Sequence, residues 1–148
     1  MLAAGQVVHA IAQRIPSASV FTSRAWPIDV AELPAWRVTA EGEEVERAYV
    51  EAGTNTHTLS VECAGYARKV DSLDDELHAL AAAAIAAIFD PDPQTVPDAL
   101  DALASRLQVN LARIDRAFTS EGQADVGRVI VTLTVDFAVD PSDPETIL

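Results

Sequence analysis

Apolar positions along this chain change period several times, and each change marks a predicted element. Near the start Ala4, Val8, Ile11 and Ile15 recur at helical spacing, and Pro16 disfavours helical backbone at the residue before it. A helix is therefore predicted over 2–14. "SVFTS" (19–23) reads as a short strand, and "RAWPIDVAELP" (24–34), with two prolines and no steady period, as a loop. "AWRVTAE" (35–41) alternates Trp36, Val38 and Ala40 against Arg37, Thr39 and Glu41, the pattern of a half-buried strand. "GEE" (42–44) is predicted as a turn and "VERAYVEA" (45–52) as the returning strand, with Arg47, Tyr49 and Glu51 alternating with Ala48 and Val50. After a turn at 53–55, "THTLSVECAGYA" (56–67) sets His57, Leu59, Val61 and Cys63 against Thr58, Ser60 and Glu62. These segments together predict a three-strand meander.

The second half opens on the strongest helical signal. In "DSLDDELHALAAAAIAAIF" Ser72 is a natural N-cap, Asp75 stands at the capping-box distance, and the acids of the first turn suit the helix dipole. Leu73, Leu77, Leu80, Ala84, Ile85 and Ile88 form one stripe, its neighbouring alanines allow close approach to a sheet, and "DPDP" (90–93) stops it. Residues 97–107 predict a short helix with Pro97 in its first turn. "VNLARIDRAF" (109–118) is compatible with a strand but alternates imperfectly. "RVIVTLTVDFAV" (128–139) is the cleanest strand, with Val129, Val131, Leu133, Val135 and Phe137 on one face, and "SEGQADVG" joins the last two as a hairpin. The predicted order is α-β-β-β-β-α-(α)-β-β. That is an α+β fold: a mostly antiparallel sheet with two principal helices packed on one face. It forms a single domain over 1–140, followed by a polar, proline-bearing flexible tail over 141–148.

Charge narrows the function classes. Ten basic against 23 acidic residues give a net charge of −13, which argues against tight binding to phosphate backbones. No apolar run reaches the roughly 18 residues of a membrane span, and the N-terminal segment reads as an amphipathic helix, not a signal peptide. The chain has one cysteine, so no internal disulfide forms and a reducing compartment is compatible.

Candidate chemistry is sparse. His9, His57 and His78 show no metal-ligand spacing. Cys63 shares a strand face with His57 but lies roughly 20 Å from it at strand rise, and reads as a core residue. The acids at 74–76 are explained by the helix dipole and those at 41–44 by a solvated turn. No phosphate-binding, nucleophile-elbow or zinc-protease motif occurs. No catalytic, cofactor-binding or metal residue is singled out, and no cofactor is expected. Of the two tryptophans, Trp36 reads as core, whereas Trp26, in a proline loop, reads equally as a loop pin or an interface anchor.

The layout as a whole resembles the tail-terminator (minor tail protein U-like) and tail-completion proteins of long-tailed bacteriophages. The residues that carry the resemblance are the N-terminal helix ending in "RIPSASVFTSR", "LPAWRVTAEGEEVE" with its LPA-x-x-V segment, "HTLSVECAGYA", the helix "SLDDELHALAAAAIAAI" and the late strand "RVIVTLTVDFAV". The resemblance implies a non-enzymatic, homo-oligomeric structural protein of the virion tail, assembled in the host bacterial cytoplasm. Its copies would form a hexameric ring that stops tail-tube polymerisation and presents the head-joining surface. The implied partners are further copies of the chain, the major tail tube protein and the head–tail connector. DNA would pass through the lumen without specific binding, past walls lined by part of the negative charge. Candidate interface residues are Arg24, Trp26 and Ile28 in the loop, with Arg37, Arg47, Tyr49, Arg68 and Lys69. Two rivals are another neck protein and a small α+β enzyme or ligand-binding domain with a pocket over its sheet.

Overall fold

The computed structural model describes residues 2–17, 19–22, 33–47, 53–68, 73–89, 107–119 and 126–148. The elements run α1 (Ala3–Arg14), β1 (Val20–Phe21), β2 (Ala35–Arg47), β3 (Asn55–Arg68), α2 (Leu73–Ile88), β4 (Gln108–Thr119), β5 (Val126–Asp140) and β6 (Asp143–Ile147). They make an α+β fold with a six-stranded sheet in the order β1-β2-β3-β5-β4, β6 pairing with β5. Every strand pair is antiparallel except β1 with β2.

β5 is the spine of the sheet. Its residues alternate buried and half-buried over the full strand, as 15 residues of strict period two require. The buried set, Val129 to Val139 at odd positions, joins Trp36, Val38, Leu59, Val61, Cys63 and Ala67 in one core. Both helices close that face. α2 lies across β3 and β5 and buries Leu77, Ala81, Ala84 and Ile88, its alanines permitting close approach. α1 packs on β2 and touches α2, so its buried face widens beyond Val8, Ile11 and Ile15 to Ala3, Val7, Ala10 and Ala12. Arg14 donates from Nη1 to the carbonyl of Ile88 at 3.2 Å, satisfying one of the orphan acceptors at the C-terminus of α2.

Two expectations are corrected. The turn predicted at 42–44 does not form: β2 runs unbroken from Ala35 to Arg47, so the meander is a two-strand pairing of β2 with β3. Just before that segment the ladder carries a register shift between Ala40 and Gly42, a bulge with Glu41 as the extra residue. The imperfect alternation of 109–118 has the same cause, a shift between Leu111 and Arg113 in β4. Finally, the chain end returns as β6 instead of trailing as a loose tail. The Asp140 carboxylate accepts from the Ser142 N–H (2.8 Å) and hydroxyl (2.7 Å), closing a turn. Ile147 is then buried, and Gln6 of α1 donates to the Glu145 carbonyl. The Ser72 cap, the "DPDP" stop and nearly all of the 97–107 helix lie outside the described residues.

Candidate functional site

Among the described residues, both helices lie on one face of the sheet and no element packs on the other. On that open face Arg37 and Thr39 of β2, Glu62 and Tyr66 of β3, and Arg128 and Thr132 of β5 are half-buried. The Thr58 hydroxyl donates to Asp136 at 2.7 Å, and the Thr39 hydroxyl to Glu41 at 2.9 Å. The Nε of Arg128 is shielded from solvent and has no hydrogen-bond partner, a donor that an approaching acceptor would satisfy.

The two margins of the sheet differ in chemistry. β1 pairs only with Trp36 and Arg37, so among the described residues the rest of β2 has no neighbour on its outer edge. From Ala40 to Arg47 that strand is exposed on both faces and carries Glu41, Glu43, Glu44 and Glu46, with Val45 53% exposed. The opposite edge is β4. It exposes Arg113 and Arg116, with Leu111 and Ile114 each 43% exposed, and Arg113 forms an ion pair with Asp115 at 2.7 Å.

Where β2 leaves the core, His57 stacks on Phe137 with ring centroids 5.3 Å apart and lies 2.5 Å from the Glu43 carboxylate. This cluster caps the end of the hydrophobic layer. Cys63 is fully buried, and desolvation, with the nearby Glu62 charge, pushes its thiol up to about 12. That is the behaviour of an inert core cysteine. Asp140 is held below the usual carboxylate range, chiefly by the Ser142 hydroxyl and then by the Ser142 N–H. Among the described residues no three His, Cys, Asp or Glu side chains converge as metal ligands, and no helix is long and apolar enough to cross a membrane. An open groove of about 420 Å³ runs between α1 and β1, lined by His9, Gln13, Ile15, Ser17, Val20 and Thr22.

Of the sequence-predicted interface residues, the three that are described, Arg37, Arg47 and Arg68, are dispersed. Arg24, Trp26, Ile28, Tyr49 and Lys69 lie outside the described residues. Arg37 stands level with Ala64, Arg47 with Asn55, and Arg68 ends β3. Thirteen residues of strand separate the levels of Arg47 and Arg68, about 43 Å at strand rise, so they share no patch. Sequence reasoning missed Arg113 and Arg116. Their signal was the break in alternation within "VNLARIDRAF", which marks a bulged edge strand.

No protein-family model matches the chain. No curated protein matches it either.

Proposed function

We propose that the chain is a structural subunit of a bacteriophage tail, a tail terminator whose copies close a hexameric ring on the head-proximal end of the tube. One observation carries this reading: the fold leaves an open sheet face and two long open strand edges among its described residues, the surfaces an assembly subunit uses. The resemblance noted in the sequence supplies the tail itself, together with the tube protein and connector as partners. The work of such a subunit is non-enzymatic and lies in its interfaces. DNA crosses the lumen without specific binding, consistent with a net charge of −13.

The test adds purified protein to polymerising tail tubes and measures tube length and end morphology by electron microscopy. Shortened, capped tubes support termination; unregulated length with bare ends overturns it. The groove beside α1 favours a second reading, a small polar ligand held near His9, Gln13 and Thr22. A ligand screen followed by chemical-shift mapping checks this reading, which falls if those residues do not shift.

A further inference from the structure

The two open edges are complementary in charge, direction and shape, and we infer that β2 of one copy pairs antiparallel with β4 of the next, placing Glu44 opposite Arg113 and Val45 opposite Leu111. The partner is thus a second copy of this chain, joined head to tail. This inference rests on the ring reading and specifies how the ring closes.

Charge decides which edges meet. Four glutamates on the exposed arm of β2 repel a second β2, and Arg113 with Arg116 disfavours a second β4, so both two-fold pairings are opposed. The β2–β4 pairing is the attractive combination. It is heterologous, the kind of contact that builds a ring when its rotation closes. Direction agrees. β2, β3, β5 and β4 alternate in sense across the sheet, so a copy repeated by rotation brings its β2 antiparallel to β4 while keeping the helices on one side.

Register follows from barrel geometry. Arg113 pairs with Thr132, Thr132 with Glu62 and Glu62 with Thr39, so Arg113 stands level with Thr39 of its own copy. In a closed barrel the strands tilt, and the register shifts by about one residue per strand, or about four over these four strands. For a β3-α2-β4 crossover of the usual right hand, in a ring built with its helices outside, the shift runs toward the C-terminal end of β2. Four ladder steps beyond Thr39 stands Glu44, because Thr39 is opposite Glu62 and Glu44 opposite Thr58.

The same register sets Glu43 opposite Ile114, Val45 opposite Leu111, and Asp115 opposite Gly42, which has no side chain to repel it. Val45, Leu111 and Ile114 all face the helix side, since they pair with His57, Leu133 and Val131. Pairing therefore joins three of the exposed apolar side chains into one contiguous strip.

The experiment is disulfide cross-linking of the full chain carrying Glu44→Cys and Arg113→Cys together, in solution and on tail-tube ends; the native Cys63 is buried. A mild oxidant is expected to give a ladder extending past dimer to a closed ring. Each single variant alone should stay uncross-linked, and a mixture of the two should stop at dimer. Charge reversal at Arg113 (Arg113→Glu) should weaken association up to about five-fold, the upper range for a cross-strand pair, and Glu44→Lys in the same chain should restore it. Absence of the ladder both in solution and on tubes overturns the pairing, as does a single variant that cross-links with itself. The two readings separate cleanly. Capped tubes without the cross-link sink the edge pairing but keep termination, whereas a ladder with uncapped tubes keeps the ring but sinks termination.

Discussion

Gly65 shows how one residue sets a local packing arrangement. It pairs directly with Trp36, whose indole lies across it: a Cβ at position 65 would stand 2.9 Å from both Cη2 and Cζ2 of the ring. Since Trp36 is only 1% exposed, the ring has little room to retreat. Gly65→Ala is therefore expected to cost about 1–3 kcal/mol, the usual penalty of overpacking, read as a lower midpoint in urea. Gly42→Ala is the control, with nothing within 4 Å of the added carbon. At Cys63 the thiol, raised to about 12, should resist alkylation at pH 8 in the folded protein and react on unfolding. The sign for stability follows from the raised value. The buried thiol's contribution is intact below pH 9, its ordinary value, and is lost as pH climbs from there toward 12. A Cys63→Ala variant should show a flatter alkaline limb in a plot of unfolding free energy against pH.

Among the elements, β6 is the one whose order depends most on distant contacts. Five residues with four exposed positions have no face of their own to bury. The strand is held by the Asp140 turn, by the Leu148 N–H donating to the Ala138 carbonyl at 2.9 Å, and by Ile147 in the core. Asp140→Ala should speed amide exchange at Ser142 and Leu148 while leaving β3 and β5 protected. Acid should act in the same direction, because a carboxylate held below its ordinary value loses its stabilising contribution as pH falls through that lowered value. Ile147→Ala is expected to cost about 2–4 kcal/mol, seen as a drop in Tm. A merely peripheral strand would leave Tm unchanged.

For the whole molecule, the proposed ring sets two electrostatic ranges against each other. Copies carrying −13 each repel at long range, while the inferred Glu44–Arg113 pairing would attract at short range. Raising salt from about 20 mM to about 300 mM shrinks the screening length several-fold, so the long-range repulsion weakens first. Sedimentation velocity should therefore show more oligomer at the higher salt. A monotonic loss of oligomer with salt would mean that direct ion pairs dominate instead.

Much of the fold was legible because local patterns and tertiary demands agree. Period two in "RVIVTLTVDFAV" and the wide stripe of "LDDELHALAAAAIAAI" name their own buried faces, and burial enforces them. Trp36 and Cys63 were readable as core for the same reason. The bulges were not, because an extra residue in one strand has meaning only against its partner. "GEE" looks like a turn until β3 is seen to run alongside it. β6 was hidden because its order comes from Gln6 and the edge of β5, far away along the chain. The candidate interface was hidden most deeply. Sequence determined that acids crowd 41–46 and that arginines stand at 113 and 116. Only the tertiary structure put them on opposite edges of one sheet, because strand order is set by pairing between segments that the chain holds far apart.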